Sequence, residues 1–412
     1  MTYDAAIGAA ICGAIAFAAP ASAETVRIAG FGGQDTAVVN GLITEAVADQ
    51  IEAAGIEVIY EPIEGDFSQF ILNALSAGTA ADLFYVDIFW ADAVFAASQA
   101  EPVADQSVAG DLLPNLAAAF SRDGVLLGIP KDFNSLNLNY NLDVFEEAGV
   151  EVPGPEDSWT EFEEKLIAVS EALDGEVAGI CLVPDYARFG PFALATGWRP
   201  FDGEGRTVLD EGFRRAFEFY TGMATSGAGV VAADVGEGWM GGCMSSEKAA
   251  TALEGGWMIA HLRDAAPSMV WNSTMMPRDP ETGERGNLIF TVAWTVNPAS
   301  EVKDAAQELA AILTSPEAQQ WVLEEGLAIP SRAALADNPW LQGDSVAQVA
   351  SRNAFMGTSD GAVMPYEFGE YGGAWMEPIN SALNAVLLGE QTVDEALAEA
   401  QEQLDRLTGH GG

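Results

Sequence analysis

Thr25-Val-Arg-Ile-Ala29, followed by Gly30-Phe31-Gly32-Gly33, then Ile56-Glu-Val-Ile-Tyr60 and Asp82-Leu-Phe-Tyr-Val86, is the stretch that decides the fold. Each of the three runs is a short block of β-branched and aromatic residues bounded by turn formers, the pattern of a strand. Residues 36–54 and 66–77, which separate them, carry apolar side chains at helical spacing. The order is β-α-β-α-β. Strands alternating with helices imply a mainly parallel sheet with helices on both faces, and ligands sit beyond the carboxyl ends of such strands. The glycines at 30, 32 and 33 lack the third glycine of a dinucleotide loop at its required offset, and the acidic residue that goes with it. They read instead as a tight strand-to-helix turn at the edge of a cleft.

Further along, Gly128-Ile-Pro-Lys-Asp-Phe-Asn134 precedes the alternating run Leu136-Asn-Leu-Asn-Tyr140. Residues 159–173 form an amphipathic helix with Asp157 and Ser158 as cap candidates. Ala249 to Leu253 reads as a helix, Gly286 to Trp294 as a strand, Lys303 to Leu313 as a helix that stops near Ser315-Pro316, and Val393 to Leu407 as a final acidic helix. A chain of 412 residues is oversized for one core, so two domains are expected.

The net charge is −45, from 62 acidic and 17 basic residues, which argues against nucleic acid or an anionic membrane as a partner. A chain that is 49% hydrophobic has ample apolar surface for a core and is not a disordered acidic polymer. Only Lys131, Lys165, Lys248 and Lys303 are lysines; the other basic residues are arginines. A carboxylate-rich shell of this kind suits brine, where salt screens the self-repulsion.

Ala5 to Ala19 is an uncharged apolar run, and Ala21-Ser22-Ala23 supplies an A-x-A cleavage site before Glu24. Residues 1–23 are therefore expected to be a signal peptide cleaved after Ala23, and the mature protein to be a soluble periplasmic monomer. Cys12 falls inside the leader. The remaining pair, Cys181 and Cys243, is expected to form a disulfide in an oxidising compartment.

Several further stretches stand in one order along the chain: Ala81-Asp-Leu-Phe-Tyr-Val-Asp87, Gly128-Ile-Pro-Lys-Asp132 with Asn139-Tyr-Asn141, Glu254-Gly-Gly-Trp257, Leu313-Thr-Ser-Pro-Glu317, Gly326-Leu-Ala-Ile-Pro330 and Gly389-Glu-Gln-Thr-Val-Asp-Glu-Ala-Leu397. In these the chain resembles the carbohydrate-binding extracellular solute-binding proteins of ABC importers, the maltose-binding-protein-like family. The resemblance implies a two-lobed α/β fold, each lobe a mainly parallel sheet flanked by helices, with a sugar in the cleft between them. It places crossings near Asp132 to Leu136, Phe290 to Trp294 and Ile329 to Arg332. Lobe one would comprise residues 24–133 and 291–331, and lobe two residues 134–290 and 332–412. The implied partners are a small sugar or related glucoside or osmolyte and the membrane permease subunits of an ABC importer, with no cofactor, no metal and no nucleic acid.

A sugar offers apolar C–H faces and a rim of hydroxyls, so its receptor needs aromatic planes and planar polar groups. Asp87 and Trp90 emerge together at the carboxyl end of the run Leu83 to Val86, although an Asp in that place also suits a helix N-cap. The resemblance adds Trp257 and Trp375 as stacking residues, Asp132 and Asn134 at the first crossing, and Arg188 beside Tyr186 and Phe189 in a loop that meets the ligand. Trp239 and Trp294, near glycines or at a crossing, and Gln34 and Arg332 complete the candidate set. Lys131 is taken as an ion-pair partner. The alternative is a secreted acidic glycoside hydrolase using paired carboxylates, since the chain has no Gly-x-Ser-x-Gly elbow and only two histidines, His261 and His410.

Overall fold

The computed structural model describes residues 23–410 except 336, without the side chains of Gln34 and Glu370; the expected leader lies outside the described residues but for Ala23. Thirteen strands occur among these residues. They are β1 (Glu24–Phe31), β2 (Ile56–Ile63), β3 (Leu83–Asp87), β4 (Ser121–Arg122), β5 (Val125–Leu126), β6 (Ile129–Asn134), β7 (Asn137–Asn141), β8 (Ala178–Leu182), β9 (Gly229–Val231), β10 (Ala249–Glu254), β11 (Trp271–Thr274), β12 (Gly286–Val296) and β13 (Ala362–Pro365). One sheet has the order β13-β12-β3-β1-β2 with β6 also on β12, a second has the order β11-β7-β10-β8-β9, and β4 and β5 form a separate ribbon.

Each sheet has a parallel end. In the first, β1 pairs in parallel with β2 and β3; in the second, β8 pairs in parallel with β9 and β10. Antiparallel pairing enters with β6 and β12 in the first sheet and with β7 in the second. Burial explains the parallel ends. Leu83 to Val86 of β3 are all buried, which requires helices on both faces, whereas an antiparallel sheet with one wet face would alternate. The helices obey ordinary end rules. Trp159–Ala172 starts on a capping box between Ser158 and Glu161 and buries Trp159, Phe162, Leu166 and Val169 along one stripe. Val393–Leu407 starts on the equivalent box between Thr392 and Glu395.

The segment Ala249 to Leu253 is not a helix but part of β10, at the centre of the second sheet between β7 and β8. All six residues of β10 are buried. A helix of that length would bury one face only, so burial on both faces of a sheet overrides the helical preference of its alanines. Beside it, a disulfide joins Cys181 of β8 to Cys243 in the short helix Met240–Ser245, with 6.3 Å between Cα atoms.

The chain passes from the first sheet to the second between β6 and β7, and β12 and Ile329 lie beside that passage. β6 ends at Asn134 and β7 begins at Asn137. In β12, residues 286–289 pair with β13 while residues 290–296 pair with β6 and β3. Ile329 exchanges backbone hydrogen bonds with Phe133 at 2.8 and 2.9 Å. No helix among the described residues is long and apolar enough to cross a membrane.

Candidate functional site

Where the sheets face each other, beyond the carboxyl ends of β1 and β3, they enclose a cavity of about 340 Å³. One wall is anionic and carries Asp35, Asp87, Lys131 and Asp132, with Phe31 beside them; the opposite wall presents Arg188, Trp239 and Trp257. Asn134, Phe290 to Val292, Leu327 and Ala328 close the space between.

Local structure brings each of these groups inward. Phe31 ends β1, and Gly33, with φ of 62°, turns the chain in the left-handed region so that Asp35 falls in the first turn of helix Gln34–Gly41. Asp87 ends β3 and also caps helix Ile88–Ala96, its Oδ1 accepting from the Phe89 amide at 3.4 Å. Across β12, Val292 faces Asp132 but Ala293 faces Pro130, so Lys131 has no opposite residue. This bulge breaks the in-out alternation of β6 and lets two consecutive side chains, Lys131 and Asp132, reach the cavity, where they pair with each other.

Burial dominates the electrostatics of the anionic wall. It pushes the Asp35 carboxyl up to about 6, against the opposing pull of Lys131, and the Asp87 carboxyl up to about 7. Asp132 is raised by burial too, with Lys131 working against the shift. Lys131 stays above the ordinary ammonium range: burial opposes its charge, but Asp132, Asp35 and Asp87 together outweigh that effect. Its ammonium lies 4.9 Å from the centre of the Tyr85 ring.

On the other wall, Glu254 ends β10 and is fully buried. Its Oε2 accepts from the Trp257 indole at 3.0 Å and from the Arg188 guanidinium at 2.5 Å, while Arg188 also donates to Asp185 at 3.1 Å. The Trp257 ring meets Phe290 edge to face at 5.8 Å. Trp239, at the N-cap of the disulfide-anchored helix, lies 4.6 Å from the His261 ring. Carboxylate acceptors thus face aromatic planes and a guanidinium across the cavity. Such a site suits a small ligand rich in hydroxyl groups. Among the described residues, no three or more His, Cys, Asp and Glu side chains are grouped so as to hold a metal ion.

Of the residues singled out from sequence, Asp87, Asp132, Asn134, Arg188, Trp239 and Trp257 meet at this cavity. Asn134 is already occupied on both sides of its amide, donating to the Leu327 carbonyl and accepting from the Gly256 amide, each at 3.0 Å. Its place is that of a strut between crossing segments. Three tryptophans lie in the core instead. Trp90 is buried near Phe67, and Trp294 sits deeper in the first sheet, 4.3 Å from Tyr85. Trp375 stacks on Phe368 at 4.4 Å and donates its indole N–H to Thr207 at 2.7 Å. Arg332 turns away from the cleft, donating to the Thr314 carbonyl at 2.6 Å with Asp111 at 3.6 Å. The segment containing Tyr186 and Phe189 is helix Tyr186–Ala195 rather than a loop; both rings are fully buried, and Arg188 alone of the three lines the cavity. Gln34 opens the helix next to Asp35, and its side chain lies outside the described residues.

Phe31, Asp35, Phe290 and Glu254 are absent from the sequence candidates, and Lys131 figures there only as an ion-pair partner. Asp35 had a signal, since it follows the strand-to-helix turn by one helical position. Phe290 figured only as the start of a crossing, since nothing in the sequence of Gly286 to Val296 sets its ring apart from that of Trp294.

The family model of the bacterial extracellular solute-binding proteins matches residues 45–348, well over half of the chain. The mannitol-binding protein of Pseudomonas aeruginosa is 25% identical over 322 residues, 72% of each chain. Among solved structures, the GacH receptor of Streptomyces glaucescens, studied unliganded and with acarbose, aligns with a TM-score of 0.81 at 22% identity, covering 94% of this chain and 99% of its own. An ABC transporter solute-binding protein of Agrobacterium vitis with bound D-mannitol aligns with a TM-score of 0.73 at 22% identity, covering 95% and 99%. With the two-lobed fold in common and the family model matched over most of its length, the chain belongs to the bacterial extracellular solute-binding proteins, a family of binding proteins and not of enzymes.

Proposed function

We propose that this protein binds a neutral sugar or sugar alcohol of monosaccharide size in the cleft and delivers it to the membrane subunits of an ABC importer. The observation that carries the reading is the pairing of two unlike walls around about 340 Å³, carboxylates on one side and aromatic planes with Arg188 on the other. That volume is near the lower end of the range for small-molecule sites of about 300–1,000 Å³, which favours one ring or one open-chain polyol over an oligosaccharide. The mannitol named for the Pseudomonas aeruginosa and Agrobacterium vitis proteins supports the polyol side of the reading. Asp87, Asp132 and Arg188 address hydroxyls, and Trp257 and Trp239 cover the C–H faces. The paired-carboxylate hydrolase is set aside, because family membership points to binding.

In the same reading, residues 1–23 are removed on export to the periplasm and the mature protein acts there as a monomer in a saline medium. Residues 24–133 with 291–331 form one lobe, and residues 134–290 with 332–412 the other. A ligand touching both lobes favours their closed arrangement through contacts that the open arrangement lacks.

A thermal-shift screen over monosaccharides, disaccharides and polyols, D-mannitol included, tests the proposal. A ligand at about 100 times its Kd should stabilise the fold by about 2.7 kcal/mol, and chromatography should return it chemically unchanged. A full panel that leaves the melting temperature where it was, or a sugar recovered as hydrolysis products, would overturn it.

A further inference from the structure

Glu254 lacks any surface on the cavity, yet two of the three groups that face the anionic wall, Trp257 and Arg188, both hang from one of its oxygens. Its Oε2 accepts from the Trp257 indole N–H at 3.0 Å and from Arg188 at 2.5 Å, and the side chain is 0% exposed. The residue is itself held by the sheet: it pairs with Asn137 across β7, and its carbonyl accepts from the Asn139 side chain at 2.9 Å. The two glycines that follow complete the mount. A Cβ on Gly255 would stand 2.5 Å from the Trp257 ring, and one on Gly256 would stand 2.7 Å from Asn134 Oδ1. The ring therefore folds back across the bare backbone of Gly255, with its N–H edge on the carboxylate, and the residue also lines the cavity. Oε1 of Glu254 and Nε of Arg188 are buried without partners, so this carboxylate does not serve to satisfy every polar atom around it.

We infer that Glu254 is a positioning residue for ligand binding: through a single oxygen it fixes the Trp257 indole and the Arg188 guanidinium in the orientation that receives the ligand. The inference rests on the proposed reading of the cleft as a sugar or polyol site. A charge-assisted bond to a fully buried acceptor removes rotamer freedom from both groups before the ligand arrives, so less ordering remains to be done on binding. Because Trp257 and Arg188 share that oxygen, displacing either one disturbs the other.

The test is Glu254→Gln, which keeps the shape and an acceptor oxygen but removes the charge; Asp185 remains as a carboxylate partner for Arg188 at 3.1 Å. Calorimetric titration with D-mannitol, or with another panel ligand that the wild type binds, should show affinity lowered about tenfold. The same substitution in a Trp257→Ala background should cost less than about threefold. An equal loss in both backgrounds, or no loss in the first, would overturn the inference. The indole N–H resonance of Trp257, identified by its disappearance in Trp257→Phe, gives a readout without ligand. It should move and exchange faster with solvent in Glu254→Gln, and an unchanged resonance would refute the bond even if no sugar bound at all. A wild type that binds nothing in the panel while the resonance moves as expected would count against the reading of the cleft and not against the Glu254 mount. Should Glu254→Gln fail to fold, Trp257→Phe keeps one aromatic ring while losing the N–H donor together with the pyrrole part of the indole. Wild-type affinity in that variant would equally sink the inference.

Discussion

Asp87 closes β3 and opens the helix after it, so one carboxylate both caps a helix and faces the cavity. The two tasks agree chemically: the Phe89 amide takes one oxygen, and burial pushes the carboxyl up to about 7 while Asp35 on the same wall is pushed up to about 6. Hydroxyl donors on a ligand favour the ionised oxygens, so binding should release protons, and affinity should rise about tenfold between pH 5.5 and pH 8. The stability of the empty protein responds in the opposite direction. A carboxyl raised above its unfolded value holds its proton more tightly when folded, so the stability linked to Asp35 and Asp87 declines as pH rises from about 4 through 7. Calorimetry at three pH values checks the first statement, and an affinity that is flat or falls with pH would contradict it. The double nature of Asp87 was legible in the sequence, because the end of a buried strand is also where a helix cap belongs. The burial of Trp375 was not. Its environment is made by Phe368 of its own segment and by Tyr186, Trp198 and Phe201, which are distant in the chain and whose convergence no local pattern announces.

Among the elements, those with a strong period were legible and those decided by tertiary context were not. Helix Val393–Leu407 and helix Lys303–Leu313 fall where their apolar spacing puts them. β10 does not, because a run of alanines says nothing about having sheet neighbours on both sides. The bulge at Lys131 was equally hidden: it exists only in the pairing with β12, and without it strand alternation would send Lys131 and Asp132 to opposite faces. The disulfide belongs to this scale as well. It fastens the helix bearing Trp239 to β8 across a sequence separation of 62 residues. Closing a loop of that length restricts the unfolded chain, and replacing both cysteines by alanine should lower stability by about 2–4 kcal/mol in denaturant titrations. A loss under about 0.5 kcal/mol would show that the bond does not hold this wall of the cleft.

The whole molecule carries a net charge of −45, and far more carboxylates than basic groups leaves most of them without a cationic partner. Compaction crowds them. Raising salt from about 0.1 M to 1 M shortens the Debye length from about 10 Å to 3 Å and relieves that repulsion, so the melting temperature should climb over the range. Surface pairs such as Arg27 with Glu61 weaken under the same screening, but exposed pairs contribute little in the first place. A melting temperature that stays level or drops would contradict adaptation to brine. The anionic surface and the anionic cleft wall are separate matters, since bulk ions screen the first and a bound ligand satisfies the second. The central claim is that a sugar or polyol sits between the carboxylate wall and Trp257, and its most direct test is calorimetric titration of the panel ligand into the wild type and into Trp257→Ala. The account predicts one-to-one binding by the wild type and a loss of more than about tenfold, or 1.4 kcal/mol, in a variant whose melting temperature is nearly unchanged. Equal affinity in the two proteins, or a collapse in stability with affinity intact, would contradict it.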